Sequence, residues 1–319
     1  MRMSITRRIA IAGGVLAALA AVLPAAAFAG APSPSPLVRV LTISYLAHDG
    51  LPRRAYLILP AWYGPKRHPS IPLVISPHGR GVFARGNVRR WGDLPARGGF
   101  AVINPEGQGR RLTLYSWGDP GEIRDLARMP SIVRHALPWL QIDRRRVYAF
   151  GGSMGGQETL LLLARFPRLL AGAAAFDAPT NMAARYRAFD SLPFGEGLQR
   201  LARLEIGGTP ATDPGGYEVR SPLEYARKIA FTGVPLQIWW STRDKTIRDQ
   251  QHESGLLYRD ISRLNPAAPV SEFIGAWGHT TEMEAHGYLP YALSLFGLMP
   301  PRAAPPSRVH RESPGEIFI

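Results

Sequence analysis

The chain has 319 residues, of which 45% are apolar and 19% charged, with 33 glycines and 30 prolines. This composition excludes a coiled coil, a collagen-like fibre and a wholly disordered chain, and it leaves a globular protein of one or two domains. The sequence contains no cysteine, which excludes disulfides, thiolate metal sites and cysteine nucleophiles. Lys and Arg outnumber Asp and Glu by 38 to 24, giving a net charge of +14.

The first thirty residues have the pattern of a secretory signal peptide. Three arginines precede or flank an uncharged apolar run, and Ala27-Phe28-Ala29 fits the small-residue rule for cleavage. We expect a signal peptide over residues 1–29, a Pro/Ser-rich linker over residues 30–36, and a secreted or periplasmic protein. The general export route is favoured over the twin-arginine route, because the residues after Arg7-Arg8 match the twin-arginine signal loosely. An uncleaved membrane anchor is the alternative.

The positive charge is mostly arginine and is spread through almost every segment. A nucleic-acid-binding protein is expected to concentrate its basic residues in a stripe with interleaved aromatic residues. We therefore expect no nucleic-acid partner, and a solvated cationic surface that associates with an anionic cell envelope. The sequence does not indicate an oligomeric state.

Short apolar segments alternate with helical patterns between residues 37 and 299. The first two segments, residues 37–46 and 55–59, predict a hairpin-like opening around a His-Asp-Gly turn. The later segments lack polar alternation, as strands buried on both faces do. They are residues 72–76, 100–104, 146–150, 171–176, 234–240 and 270–274. Helical patterns cover residues 122–140, 154–166, 246–264 and 280–298, and Pro130 predicts a break or kink in the first of these helices.

Strands that alternate with helices predict an α/β fold, in which a mainly parallel central sheet carries helices on both faces. We expect one catalytic domain over residues 37–299 and a Pro/Arg-rich tail over residues 300–319. The connection at about residues 178–233 is longer than ordinary loops, so we expect it to cap the site. The candidate apolar lining residues, each of which has plain core packing as its alternative, are Trp117, Met182, Tyr186, Phe189 and Trp277.

A candidate nucleophile lies in the motif Gly151-Gly152-Ser153-Met154-Gly155, between a predicted strand and a predicted helix. Gly151 and Gly155 complete a GxSxG pattern, whose glycines permit the sharp turn that exposes a serine hydroxyl above the sheet. This placement indicates that Ser153 is a nucleophile. The alternative is an inert turn with a helix-capping serine. A phosphate loop is disfavoured, because no Lys-Ser or Lys-Thr follows the glycines.

A serine nucleophile needs a general base, and in this arrangement the chain order is serine, acid, histidine. His279 follows an apolar segment and precedes a helical pattern, so it lies where the carboxyl end of a strand is expected. We predict that His279 is the base. The other histidines after Ser153 fall in a helical pattern (His252), on the following helix (His286) or in the tail (His310).

Two aspartates could orient the histidine. Asp244 follows the segment at residues 234–240, and Asp177 follows the segment at residues 171–176. Both are expected at the catalytic edge of the sheet, and we favour Asp244, with Asp177 as an alternative acid or a helix cap. The spacing of His279, Glu282 and His286 is not that of HExxH, so we expect no metal and no organic cofactor.

The predicted oxyanion donors follow the segment at residues 72–76. This fold supplies one backbone N–H from the loop at that position and another from the residue after the nucleophile. The expected donors are therefore the N–H of Met154 and the N–H of Gly79 or Arg80. His78 precedes the nucleophile, and we expect it to have an orienting or packing role.

Together these motifs resemble the α/β-hydrolase fold, and more narrowly the catalytic domain of the prolyl oligopeptidase family of serine hydrolases and related secreted esterases. The narrower resemblance rests on Gly207-Gly208-Thr209-Pro210, Asp213-Pro214 and the segment from Arg220 to Ala226 (RSPLEYA). It covers roughly residues 37–298. The resemblance implies that Ser153 is the nucleophile, Asp244 the acid and His279 the base of a catalytic triad.

The sequence departs from the family peptidases in two features. Those peptidases usually carry a β-propeller that filters substrates, and thirty-odd residues before the first predicted strand are too few to form one. The position commonly held by glycine before the acid is Trp240. We therefore expect a secreted serine hydrolase that cleaves carboxylic esters of a small or polymeric substrate through an acyl-enzyme. The alternatives are a peptidase or amidase of this family and a non-catalytic binding protein on the same fold.

Overall fold

The computed structural model describes residues 37–107, 117–301 and 309–312, so the predicted signal peptide and linker lie outside the described residues. Within these ranges, nine strands form one sheet. In chain order the strands are β1 (Val38–Leu46), β2 (Pro52–Pro60), β3 (Ile71–Ile75), β4 (Ala101–Pro105), β5 (Ile142–Gly152), β6 (Gly172–Phe176), β7 (Leu236–Ser241), β8 (Val270–Gly275) and β9 (His310–Glu312). Their spatial order is β1-β2-β4-β3-β5-β6-β7-β8-β9.

The centre of the sheet is parallel, from β4 through β3, β5, β6 and β7 to β8. At one edge, β1 pairs antiparallel with β2, and β2 pairs antiparallel with β4. At the other edge, β9 pairs antiparallel with β8. Every residue of β3, β4, β6 and β7 is buried, which explains why these strands appear in the sequence as continuous apolar segments.

Helices cover both faces of the sheet. In chain order they are α1 (Ala84–Trp91), α2 (Leu94–Gly98), α3 (Pro120–Ala136), α4 (Met154–Arg165), α5 (Met182–Ala188), α6 (Gly195–Ile206), α7 (Pro214–Glu218), α8 (Ala226–Ala230), α9 (Ser254–Leu264) and α10 (Leu289–Ser294). Apolar residues of α3, α4, α8 and α9 form one core cluster with one face of the sheet. Residues of α1, α2 and α10 form a second cluster with the other face. The predicted α/β architecture is confirmed.

Several local predictions differ from the structure. Helix α3 runs unbroken through Pro130, because its buried residues Ile123, Leu126, Met129 and Val133 hold one face against the sheet. The pattern at residues 246–264 becomes helical only at Ser254, and the pattern at 280–298 contains only the short helix α10 after a single turn. The predicted tail also contains a strand, since residues 310–312 extend the sheet beside β8.

The connection between β6 and β7 contains helices α5 to α8. Its first part has a small core of its own, formed by Met182, Tyr186, Phe189, Ala202, Ile206 and Tyr217 together with Trp117 from the loop before α3. We refer to residues 178–219, the first part of the cap predicted at about residues 178–233, as the cap segment. Among the described residues, no helix is both long and apolar enough to cross a bilayer.

Candidate active site

Ser153 lies at the sharp turn between β5 and α4. Its backbone has φ of 58° and ψ of −127°, a conformation that residues with a Cβ rarely adopt. The turn is held by a hydrogen bond from the Ser153 N–H to the carbonyl of Phe176, at 2.8 Å. A Cβ on Gly151 would lie 2.1 Å from the Gly155 carbonyl oxygen, and a Cβ on Gly155 would lie 2.3 Å from that of Pro77, so only glycine fits at these two positions.

His279 lies in the loop after β8, and its side chain is held by Asp244 from the loop after β7. The Nδ1–H of His279 donates to Oδ2 of Asp244 at 2.7 Å. The same carboxylate accepts the backbone N–H groups of Thr246 and Ile247 at 2.7 and 2.9 Å, and the side-chain amide of Gln250 at 3.2 Å. Asp244 is therefore held in one orientation by four donors.

The electrostatics of this pair favour an ionised Asp244. Burial alone would raise its pKa, but the hydrogen bond and charge of His279, together with the donors from Ile247 and Gln250, outweigh burial and hold the pKa of Asp244 below its ordinary value. Because Nδ1 of His279 carries the shared proton, Nε2 is the proton-accepting nitrogen of the neutral ring. Nε2 is buried and has no hydrogen-bond partner among the described residues, Ser153 included.

The turn that carries Ser153 packs against the loop that carries His279. A Cβ placed on Gly152 would lie 3.0 Å from the side chain of Thr280, the neighbour of His279. The loop is held in place by Arg90, whose guanidinium donates to the carbonyl and the hydroxyl of Thr280 at 2.8 and 3.0 Å. The predicted nucleophile, base and acid are thus brought together at the carboxyl ends of β5, β8 and β7.

Asp177, the alternative acid, lies beside this group but has other partners. Its Oδ1 accepts the N–H of Ser241 at 2.9 Å, while its Oδ2 accepts the N–H of Thr280 at 2.8 Å and the indole N–H of Trp277 at 3.3 Å. Its distance to Nδ1 of His279 is 3.9 Å, against 2.7 Å for Asp244. Burial, and then the nearby charge of Asp244, raise the pKa of Asp177 to about 6. Asp177 therefore joins the end of β7 to the histidine loop.

The loop at residues 77–81, called the oxyanion loop below, lies against the nucleophile. A Cβ on Gly79 would lie 3.6 Å from the Cβ of Ser153. His78 is buried beneath this loop, donating from Nδ1 to the carbonyl of Gly79 at 2.9 Å and accepting the N–H of Gly107 at Nε2 at 3.1 Å. Burial lowers the pKa of His78, so the ring is neutral and its two nitrogens are both used by backbone groups. An orienting role, as the sequence predicts, agrees with these contacts.

Arg80 connects the oxyanion loop to the cap segment. Its guanidinium lies 4.3 Å from the ring centre of Trp117 and 3.3 Å from the carboxylate of Glu205 on α6. The backbone N–H of Trp117 in turn contacts the sulfur of Met154 at 3.3 Å. Trp117, which packs in the core of the cap segment, therefore contacts residues on both sides of the predicted oxyanion donors, and the cap segment itself contacts Arg80 through Glu205.

Four of the five predicted apolar lining residues pack in a hydrophobic core. Met182, Tyr186, Phe189 and Trp117 are buried in the core of the cap segment. Trp277 is half-buried and packs against the ring of Tyr288, in addition to its bond to Asp177. The plain core alternative therefore describes these side chains better than an open substrate surface.

The remaining histidines do not join the site. His252 is exposed and pairs with Asp249 at 2.8 Å, and His286 is exposed on the surface. The side chain of His310 lies outside the described residues. Sequence reasoning did not identify Arg90 and Gln250 as members of the site. Neither follows a strand directly, and no spacing signal in the sequence marks them.

A metal could in principle be held by Asp177, Asp244 and His279, whose ligand atoms lie within 4.8 Å of one another. These atoms already take part in hydrogen bonds: the two carboxylates accept backbone and side-chain N–H groups, and Nδ1 of His279 is bonded to Asp244. Asp177, Asp244 and His279 therefore form a hydrogen-bonded network without needing a metal to explain why they lie together.

A family model and a curated protein match parts of this chain. Residues 100–254 match the model of the prolyl oligopeptidase family, a range that includes Ser153, Asp177 and Asp244 but not His279. An uncharacterized peptidase of Bacillus subtilis, YtmA, is 25% identical over 241 residues, which cover 73% of this chain and 84% of that protein.

Two solved structures show the same fold. The acylaminoacyl peptidase of Pyrococcus horikoshii has a TM-score of 0.59 at 16% identity, covering 76% of this chain and 38% of that one. Brefeldin A esterase, described as a bacterial homologue of human hormone sensitive lipase, has a TM-score of 0.58 at 20% identity, covering 84% of this chain and 76% of the esterase. This chain thus spans less than two fifths of the peptidase but about three quarters of the esterase.

The fold, the serine turn and these matches define the chain as a serine hydrolase with the α/β-hydrolase fold. Within that class, it resembles the catalytic domain of the prolyl oligopeptidase family.

Proposed function

We propose that the protein is an exported carboxylic-ester hydrolase in which Ser153, His279 and Asp244 form a catalytic triad. The observation that carries the triad is the 2.7 Å bond from Nδ1 of His279 to Asp244, next to a serine held in a strained turn. This bond selects the ring tautomer with a free Nε2, which is the tautomer that a general base requires.

In the proposed reaction, the hydroxyl oxygen of Ser153 attacks the acyl carbonyl carbon, and Nε2 of His279 takes the hydroxyl proton in the same step. The imidazolium that forms is stabilised by the ionised Asp244. Protonation of the leaving alkoxide by His279 gives the acyl-enzyme and the free alcohol. A water molecule, deprotonated by His279, then attacks the acyl carbon and releases the carboxylic acid and Ser153.

The oxyanion that forms in both steps would be stabilised by backbone N–H groups. Met154 is the first residue of α4, so its N–H has no intrahelical acceptor, and Gly79 lies against the serine from the opposite loop. Each such donor typically contributes about 10²–10³ in rate. Arg80 is the alternative donor of the second N–H.

The preference for esters rests on the shared architecture of this chain and free-standing esterases. The described residues contain the hydrolase sheet and a short cap segment, and the chain covers 76% of brefeldin A esterase. A peptidase or amidase is the second candidate function, favoured by the family match at residues 100–254 and by the similarity to YtmA.

The nucleophile is tested with a fluorophosphonate probe, which labels an activated serine. We expect the wild-type protein to be labelled and the Ser153→Ala variant to remain unlabelled, with circular dichroism showing that both are folded. Labelling of the variant at full stoichiometry would exclude Ser153 as the nucleophile.

The substrate class is tested by comparing short-chain and long-chain p-nitrophenyl esters with peptidyl anilides. We expect ester turnover to exceed anilide turnover in kcat/KM, because an alkoxide or phenoxide leaves more readily than an amine. Turnover of the anilides alone would contradict the ester assignment and favour the peptidase.

A further inference from the structure

The described surface contains a cavity of about 430 Å³ at the end of α4 that is farthest from Ser153. It lies between the end of α4, the turn that follows it and the end of α8. We refer to it as the α4–α8 groove. Its principal lining residues are Arg165, Phe166, Arg168, Leu169, Lys228 and Phe231.

The charged side chains that line the α4–α8 groove are all positive. Three of its lining residues are cationic and none is acidic. Arg165 is held by the carbonyl of Val219 and the hydroxyl of Tyr225, whereas Arg168 and Lys228 form no ion pair with any described residue. The nearest acid along the chain, Glu224, is four residues before Lys228 and is not paired with it.

The partial negative charge at the C-terminal ends of α4 and α8 is smaller than the positive charge of the groove's Lys and Arg side chains. The ends of α4 and α8 at the groove each carry about half a negative charge from the helix dipole, which falls off within one turn. The adjacent Arg227, whose guanidinium lies 5.8 Å from the ring of Phe231, adds a fourth cation. The groove therefore keeps a positive field that favours an anionic partner.

The groove also has an exposed apolar side chain. Phe231 follows α8 and is 60% exposed, although a phenylalanine of a soluble domain is more often buried. It lines the groove together with Phe166, Leu169 and Lys228, and its ring lies 5.8 Å from the guanidinium of Arg227. An exposed aromatic ring beside Lys and Arg residues suits the boundary of a membrane, where phosphate headgroups lie next to acyl chains.

We propose that the α4–α8 groove docks the protein on an anionic phospholipid surface. Arg168 and Lys228 contact headgroup phosphates, and Phe231 enters the acyl boundary. Helix α4 has twelve residues, so the groove lies about 18 Å from Ser153 along the helix axis. Docking at this end leaves the catalytic edge of the sheet facing away from the membrane, open to substrate.

The proposal is tested by vesicle co-sedimentation. One set of vesicles contains equal parts of phosphatidylglycerol and phosphatidylcholine, and the other contains phosphatidylcholine alone. We expect the protein to sediment with the anionic vesicles, and we expect binding to weaken as salt is added. Failure to bind the anionic vesicles, or equal binding to both kinds, would overturn the proposal. All variants carry the same N-terminal residues, so any contribution from the predicted signal peptide cancels.

The groove variant is Arg168→Gln/Lys228→Gln, and its matched control is Arg187→Gln/Arg200→Gln, two exposed arginines of the cap segment. Each juxtamembrane cation contributes roughly a fivefold gain in partitioning. We therefore expect the groove variant to lose roughly 25-fold in vesicle affinity and the control to lose little. Equal losses would show that net charge, and not the groove, decides binding.

Phe231→Ser tests the apolar component, with an expected loss of about tenfold and no change in labelling of Ser153. A soluble phosphate ester, glycerol 3-phosphate, is added as a competitor. We expect little displacement at millimolar concentration, because it cannot engage Phe231. Full displacement, or unchanged vesicle binding in Phe231→Ser, would overturn membrane docking and leave a site for small anions.

Discussion

Asp244 and Asp177 are two buried carboxylates that follow neighbouring strands, yet their surroundings differ. The only hydrogen bond between Asp244 and the histidine loop among the described residues is the one that it accepts from His279. Its pKa is held below the ordinary value. Asp177 bonds three N–H groups, at Ser241, Trp277 and Thr280, and its pKa is raised to about 6. The first environment suits an anion that stabilises an imidazolium, and the second suits a structural acceptor.

This difference predicts unequal effects of the two Asn substitutions. We expect Asp244→Asn to lower kcat by about 10³–10⁴, because the amide favours the wrong ring tautomer of His279. Asp177→Asn is expected to lower kcat less and to lower the melting temperature, because an amide N–H would face the N–H of Thr280. Steady-state kinetics and thermal unfolding of both variants measure this contrast. A larger loss of kcat in Asp177→Asn would reverse the assignment.

Glu282 is a further buried acid of the histidine loop. Neither of its carboxylate oxygens bonds another described residue, and burial, followed by the charge of Asp177, raises its pKa well above 4.5 although its own backbone N–H lowers that pKa. Arg90 acts in the opposite direction but does not offset burial. Above pH 4.5 the folded protein therefore holds a proton at Glu282 that the unfolded chain has released.

By linkage, Glu282 lowers the free energy of unfolding as the pH rises from about 4.5 towards its folded pKa, by up to about 1.4 kcal/mol per pH unit. Glutamine resembles the protonated acid and does not titrate. We expect Glu282→Gln to match wild type near pH 4 and to become the more stable protein at pH 7. Urea unfolding at both pH values measures this, and a difference that is independent of pH would contradict the prediction.

Among the structural elements around Ser153, the oxyanion loop is bonded on its inner side by the ring of His78. His78 bonds the carbonyl of Gly79 on one side and the N–H of Gly107 on the other. Removing the ring would leave the N–H of Gly107 without this acceptor and the carbonyl of Gly79 with the N–H of Val82, at 3.2 Å, as its remaining donor, and would loosen the loop that carries one predicted donor. The loop therefore depends on His78 for its position relative to Ser153.

We expect His78→Ala to lower kcat by about tenfold or more with KM changed less than kcat, since a displaced donor acts on the transition state more than on bound substrate. His252→Ala, on the exposed surface, is the matched control and should retain wild-type kinetics. Unchanged kcat in His78→Ala would show that the loop holds its position without the ring.

Most strands could be predicted from the sequence, because continuous apolar segments have few alternatives in an α/β chain. The helical pattern at residues 246–264 was misleading over its first half. The carboxylate of Asp244 accepts the N–H groups of Thr246 and Ile247, and this turn keeps the chain out of a helix until Ser254. Helix α1 was missed because one of its buried positions is polar: Asn87 bonds Ser76 and Asn104 inside the core.

At the scale of the whole molecule, the N-terminal pattern predicts export. We expect a bacterial host that produces the full chain to deliver it outside the cytoplasm, with a new N-terminus at Gly30 after cleavage behind Ala29. N-terminal sequencing of the exported protein and fractionation of the cells measure this. Recovery of the intact chain in the membrane fraction would favour the uncleaved anchor.

The fold class, the serine turn and the histidine of the candidate site could all be predicted from the amino-acid sequence. Each has a local signature: buried strands are apolar throughout, a strand-to-helix turn around an exposed serine needs glycines, and His279 alone among the later histidines directly follows a strand's apolar segment. Which aspartate contacts His279 could not be predicted in this way, because it depends on how the loops fold against each other. Asp177 and Asp244 follow adjacent strands, and the difference between 3.9 and 2.7 Å arises from loop contacts made by residues distant in sequence.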